Sequence, residues 1–174
     1  MSVRRTSIVL PTAAVVAALA SGLAVHASAA PAHVFGGHLV DLSATTADPF
    51  VGASAHLVMT PNAHGTLFHL RVTGIDQAVG GHSYGAHLHV GPCVAGDAAA
   101  AGPHYNVSTT TPPLASDQTE VWLDFTATTD GTGAADTTVP FLPTPGTRSV
   151  VIHAEATAPN GTAGPRLVCL PVAW

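Results

Sequence analysis

The sequence predicts an all-β domain: a Greek-key sandwich or barrel of about eight antiparallel strands with long functional loops. Three observations carry that expectation. Short runs rich in Val, Thr and Leu recur along the chain, punctuated by 17 glycines and 14 prolines, as in proteins built of many short strands joined by turns. After residue 29 no segment sustains the 3.6-residue apolar period of an amphipathic helix. Turn dipeptides stand between the runs: Pro61-Asn62, Asp130-Gly131, Pro145-Gly146 and Asn160-Gly161.

Residues 1–29 read as a secretory signal peptide. Arg4 and Arg5 give a positive start, residues 8–23 are an apolar run, and Ala27-Ser28-Ala29 fits an A-x-A cleavage site. The run is short for a retained membrane anchor and ends in small residues. The expected destination is the periplasm, the cell envelope or the exterior, with no membrane contact after cleavage. Residues 30–50 carry little pattern and form either a loose tail or a first edge strand. The domain proper is placed at residues 51–174, with strands expected at 55–60, 66–74, 85–90, 120–128, 134–139, 149–155 and 166–172. Residues 91–119 are the longest irregular stretch, and a loop of that length inside a compact domain is usually functional or disordered.

Charge narrows the function. The 174-residue chain has five arginines, no lysine, ten carboxylates and eleven histidines. Past residue 29, three arginines face ten carboxylates, a formal charge of −7. That balance argues against a binder of nucleic-acid phosphates, which needs a basic surface to release counterions. Only 9% of residues are charged, which argues against a highly charged disordered tail. Two cysteines, Cys93 and Cys169, in an exported chain point to one disulfide. Closing so long a loop constrains the unfolded chain by about 4 to 5 kcal/mol in the entropic account. Nothing in the sequence specifies an oligomeric state.

Histidine outnumbers every other ionisable type, and its placement matters more than its number. His87 and His89 lie in Gly85-Ala86-His87-Leu88-His89-Val90. Residues i and i+2 of a strand share a face, so both imidazoles project together while Ala86, Leu88 and Val90 face the core. Two neutral imidazoles on one face can chelate copper, zinc, iron or nickel. Alone, the pattern fits two exposed strand histidines as well. His153 lies in a second strong strand, Ser149-Val150-Val151-Ile152-His153-Ala154, and His104 in Gly102-Pro103-His104-Tyr105-Asn106, a loop stiffened by proline and glycine.

Together these segments resemble the copper/zinc superoxide dismutase family. The resemblance spans roughly residues 55–172. It rests on the three segments just quoted and on Gly161-Thr162-Ala163-Gly164-Pro165-Arg166-Leu167-Val168-Cys169, all in family order. It implies a sandwich fold and four copper ligands: His87, His89, His153 and His104, the last being the ligand that bridges to zinc in zinc-containing members. Arg166 would receive the superoxide anion, and Cys93 and Cys169 would be the family's intrasubunit disulfide. The implied reaction converts superoxide to O2 and H2O2 by alternate reduction and reoxidation of copper, with protons passing through His104 and water. The residue types suit it: copper(II) favours tetragonal nitrogen coordination, and arginine offers a permanently charged fork of donors to a small anion.

The pattern departs from the family at the zinc site, which takes two further histidines and an aspartate after the bridging one. No histidine lies between Tyr105 and Ile152, so the zinc site is expected to be absent, which resembles the copper-only branch. The loop after His153 is short as well, with residues 154–165 alone separating it from Arg166. Without zinc, the far nitrogen of His104 needs another partner, commonly a carboxylate for a metal-bound histidine. Glu120, at the head of the next expected strand, is the expected partner, with Asp117 second; Asp124 is a further acid of that stretch.

The leading function is an exported copper-dependent superoxide dismutase. The alternative is a non-enzymatic copper-binding or buffering domain on the same fold; Arg166 favours the enzyme, because a buffer needs no anion dock. His33, His38, His56, His64, His69 and His82 match no ligand position and read as surface residues. His33 has a second reading, since cleavage after Ala30 would leave Pro31-Ala32-His33, an amino-terminal copper(II) chelate. Asn106-Val107-Ser108 and Asn160-Gly161-Thr162 have the form of glycosylation sequons.

Overall fold

The computed structural model describes residues 31–43 and 48–174; the signal-peptide reading falls outside the described residues. Two four-stranded antiparallel sheets pack face to face. The first is built, in order, of β1 (His33–His38), β3 (Ser54–Asn62), β4 (Gly65–Thr73) and β8 (Thr132–Val139). The second is built of β2 (Val40–Asp41), β10 (Arg166–Ala173), β9 (Thr147–His153) and β6 (Ala86–His89). A two-stranded ribbon joins β5 (Ser83–Tyr84) to β7 (Phe125–Thr126). The chain passes from one sheet to the other between β1 and β2, and β8 returns to pair with β4. These crossings are those of a Greek key, and the fold is the all-β sandwich that the sequence predicts. Among the described residues no helix is long and apolar enough to cross a membrane.

Strand alternation builds the core. Ala55, Leu57 and Met59 of β3 and Phe68, Leu70 and Val72 of β4 meet Ala86, Leu88, Val150, Ile152, Val168 and Leu170 of the second sheet. Burying a Leu, Val or Phe side chain contributes about 1.5 to 3 kcal/mol. A one-residue slip would bring His56, His69 and Arg71 inward, so the register is strongly specified.

The expected strands at 55–60, 66–74, 134–139, 149–155 and 166–172 correspond to β3, β4, β8, β9 and β10. The described part of residues 30–50 supplies β1 and β2, each at the edge of its sheet; β1 pairs with β3 from His33 opposite Met59 to His38 opposite Ser54. Two expectations are corrected. Val90 does not face the core. It is 38% exposed, because β6 stops at His89 and the Val90 N–H turns to the Pro103 carbonyl at 3.1 Å. Residues 120–128 form a ladder only at β7. Their first half meets β6 through single bonds, Leu88 N–H to the Val121 carbonyl (3.3 Å) and Leu123 N–H to the Ala86 carbonyl (2.7 Å), while Glu120 bridges to Asn106. The segment is shared between β6 and the His104 loop and completes a ladder with neither.

Residues 91–119 form the long loop. Its 3-10 turn, Ala98–Ala101, is capped by Asp97, whose Oδ1 accepts from the N–H groups of Ala99 and Ala100. The Cys93–Cys169 disulfide ties this loop to β10, beside a small apolar cluster of Leu42, Ala101 and Val151.

Candidate metal centre

β6 turns His87 and His89 away from the core side, opposite Ala86 and Leu88. Its pairing with β9 sets Ala86 against Ile152, so His153, one residue on, reaches the same outer face. His104 comes from the loop, which lies along β6 through a bridge between His89 and His104 and a bond from Tyr105 N–H to the Leu88 carbonyl (2.7 Å). Gly85 lets the elements close up: a Cβ there would stand 2.6 Å from Ala163 Cβ and 2.8 Å from Thr157 Oγ1.

One ring nitrogen from each of His87, His89, His104 and His153 lies within 4.8 Å of the others. His87, His89 and His153 are buried and His104 is half-buried. The second nitrogen of each ring has a partner outside the cluster. His89 Nδ1–H donates to the Gly102 carbonyl (3.0 Å) and His153 Nδ1–H to the Gly164 carbonyl (3.0 Å). His104 Nδ1–H donates to Glu120 Oε2 (2.9 Å), and His87 Nε2 meets Thr157 Oγ1 at 2.7 Å. Carbonyls and carboxylates only accept, so the first three partners fix Nε2 of their rings as an inward lone pair.

The inward atoms lack protein partners. His87 Nδ1 is buried with no hydrogen bond, and the lone pairs of His89 Nε2 and His153 Nε2 face each other at 3.3 Å. A buried polar atom left unsatisfied costs about 1 to 3 kcal/mol. A bound cation would satisfy all of these atoms at once, and a set of four imidazoles suits copper. Burial, reinforced by the charges of the neighbouring rings, lowers His87 to about 2. Burial likewise lowers His89 to about 3, against the opposing bond to Gly102, and it lowers His153. These three rings are therefore neutral at pH 7, the form that binds a metal.

Glu120 is buried. Burial by itself would raise its carboxyl. Donors from His104, Trp122 Nε1 (2.8 Å) and Asn106 Nδ2 (2.8 Å) outweigh it and hold the group below the usual range, so it is ionised. Asp117, the second acid expected at His104, is corrected. It sits exposed at the tip of a turn closed by Glu120 N–H on the Ser116 carbonyl (2.8 Å), and the bond to His104 is made by Glu120. Asp124 lies on the other flank, near His87.

Arg166 stands opposite His153 in the β9–β10 register. Its Nη1 and Nη2 donate to the carbonyls of Ala98 (2.6 Å) and Gly102 (2.7 Å). Gly102, at φ +68°, thus presents one carbonyl to both His89 and Arg166. The guanidinium charge acts on His89 and His153. A cleft of about 450 Å³, lined by Pro103, Pro113 and Asn160, lies against His104.

The other described histidines lie apart. His38, His56, His64, His69 and His82 are exposed. His69 pairs with Asp136 at 2.7 Å, and His82 Nε2–H donates to the Ala154 carbonyl at 2.8 Å. His33 begins β1 with its ring near Phe35 and Trp174. Sequence reasoning missed Asn106, Trp122 and Thr157. The Asn106 amide, read as part of a sequon, donates to the Leu114 carbonyl and to Glu120. Trp122 could have been found as the i+2 neighbour of Glu120 on an extended segment; Thr157 carries no comparable signal.

The family model of copper/zinc superoxide dismutase (SODC) matches residues 51–170. No curated protein matches the chain. The matched span is more than half of the 174 residues and includes the four clustered histidines, Arg166 and both cysteines. The chain belongs to the copper/zinc superoxide dismutase family.

Proposed function

We propose that this chain is an exported, copper-only superoxide dismutase that converts superoxide to O2 and H2O2. The observation that carries the reading is the four-imidazole cluster, in which the outward nitrogens are held and the inward ones are left without protein partners. Copper bound there would supply one-electron chemistry, taking an electron from one superoxide and giving it to a second.

The chain's own residues serve the anion and the proton. A charge of −7 past residue 29 repels superoxide at long range, but screening acts over about 8 Å at physiological salt. Local charge then decides, and Arg166 supplies a permanent one beside His89 and His153. His104 is the most open ring of the four. Its Nδ1–H is anchored on ionised Glu120, which orients the ring and leaves Nε2 as the nitrogen that faces the cluster.

The copper-only reading is supported by Glu120, which occupies the outward nitrogen of His104 that a second metal would need. Among the described residues no other group of three or more His, Cys, Asp or Glu side chains converges. Export is supported by Arg4, Arg5, the apolar run and Ala27-Ser28-Ala29, and by a disulfide, a bond that persists in oxidising compartments.

The test is to load the purified chain with copper and follow superoxide decay beside His153→Ala. Stoichiometric copper and catalytic decay are expected in the parent, and loss of both in the variant. Tight copper without turnover would make the chain a buffer. Zinc retained in equal amount alongside copper would overturn the copper-only reading.

A further inference from the structure

We propose that Thr157 and Asp124 form a two-bond relay that holds His87 in the one tautomer able to bind a metal. Both are positioning residues, and the proposal rests on the reading of the four histidines as a metal site.

His87 differs from the other three rings. Their outward nitrogens meet a carbonyl or a carboxylate, groups that only accept. The outward nitrogen of His87, Nε2, meets the Thr157 hydroxyl at 2.7 Å, and a hydroxyl can accept or donate. A hydroxyl that donated to Nε2 would leave the ring proton on Nδ1, in the middle of the cluster, where it would block coordination.

Asp124 removes that freedom. Its Oδ1 lies 2.7 Å from Thr157 Oγ1 and can only accept, so the hydroxyl proton is committed to the carboxylate. The hydroxyl oxygen must then accept from His87 Nε2–H. The lone pair falls on Nδ1, the buried atom that has no protein partner. Asp124 cannot do this directly, since its Oδ1 is 3.9 Å from Nε2; the hydroxyl spans the gap.

The relay is itself held. Asp124 Oδ2 accepts from Thr157 N–H (2.9 Å) and Oδ1 from Ala86 N–H (3.2 Å). Ala86 precedes His87 on β6, and Thr157 lies in the loop after His153. One carboxylate therefore staples together the two segments that carry three of the four rings. The approach of Thr157 also explains why residue 85 has no side chain. A cleft of about 320 Å³, lined by Ser83, Asp124, Thr126 and Ala156, leaves Asp124 part exposed, so its carboxylate can be removed without opening the core.

The experiment has two readouts. Nitrogen NMR of the metal-free chain reports the His87 tautomer. Competition against a chelator, with the Cu(II) EPR spectrum, reports the loaded chain. Thr157→Val keeps the shape and removes the hydroxyl. It is expected to lose the pure Nε2–H tautomer, to weaken copper binding by about 10- to 100-fold and to alter the EPR signature, while Thr157→Ser restores all three. Should Thr157→Val not fold, Thr157→Ala, which cannot overpack, carries the same expectation. Asp124→Ala, which frees the hydroxyl without removing it, is expected to give a mixture of both tautomers. A pure Nε2–H tautomer with parent copper affinity in Thr157→Val or Thr157→Ala, or a pure tautomer in Asp124→Ala, overturns the proposal. A parent chain that takes up no copper defeats the metal reading instead, and the tautomer measurement still decides the relay.

Discussion

Both sheets carry histidines, and the two sets have opposite fates. On the first sheet, His38, His56 and His69 stand on β1, β3 and β4 and face solvent. On the second, His87 and His89 of β6 and His153 of β9 are buried. Strand geometry does not separate them, because in both sheets alternate residues point away from the shared core. What differs is the cover. The outer face of the first sheet is open, whereas residues 91–120 and 154–165 fold over the second and bring a carbonyl, a carboxylate or a hydroxyl to each outward ring nitrogen. The loops turn a sheet face into a buried cluster of imidazoles whose outward nitrogens are held.

The largest expected effect tests that contrast directly. Trp122 lies 6.2 Å from the His87 ring, centroid to centroid, so copper in the cluster should quench its fluorescence. His89→Ala is expected to abolish stoichiometric copper uptake and the quenching, whereas His56→Ala leaves both intact. A loss of copper stoichiometry in His56→Ala would break the comparison.

Acid should separate the two sheets next. The folded values of His87 and His89, about 2 and about 3, lie below the unfolded value of about 6.5. Below that pH the unfolded chain binds more protons than the folded one. The stability tied to keeping these rings neutral is thus complete above about pH 6.5. It falls as pH drops, by roughly 1 kcal/mol per ring per pH unit, until the folded values are reached. Urea midpoints of the metal-free chain at pH 7 and pH 4.5 check this. A flat profile would mean that the buried rings protonate in place.

Glu120→Gln removes the charge behind His104 and is expected to weaken copper binding or turnover by about 10- to 100-fold, with Asp117→Asn unchanged in the same assays. That pair also shows what the sequence could and could not reveal. The sandwich was legible because alternation and turn residues are local signals, and β3, β4, β8, β9 and β10 follow them closely. The four ring positions were legible as motifs in a family order. The choice between Glu120 and Asp117 was legible only as a ranking, since both follow His104 in the chain and the turn at Ser116 decides which one points inward. Thr157 was not legible at all. Its role depends on loop residues 154–165 returning across β6 to within 2.7 Å of His87, a long-range contact that no local pattern encodes. β1 and β2 were obscure for a related reason: edge strands pair on one side only, and their exposed residues need not alternate.

The smallest effect concerns two arginines, Arg71 on the first sheet and Arg166 on the second. Arg166→Ala is expected to lower the second-order rate with superoxide by about tenfold and to flatten its dependence on salt, the signature of lost local attraction. Arg71→Ala should change neither. Arg71 is exposed on β4 opposite His56, where water and salt screen its charge. Arg166 is partly buried, pinned by two carbonyls, and close enough to act on His89 and His153. Stopped-flow rates at two ionic strengths separate the outcomes. If both variants flattened the salt slope equally, net charge would steer the substrate, and the position of Arg166 would count for nothing. If only Arg166→Ala does so, a chain with ten acids and three arginines past its first 29 residues attracts an anion through placement and not through net charge.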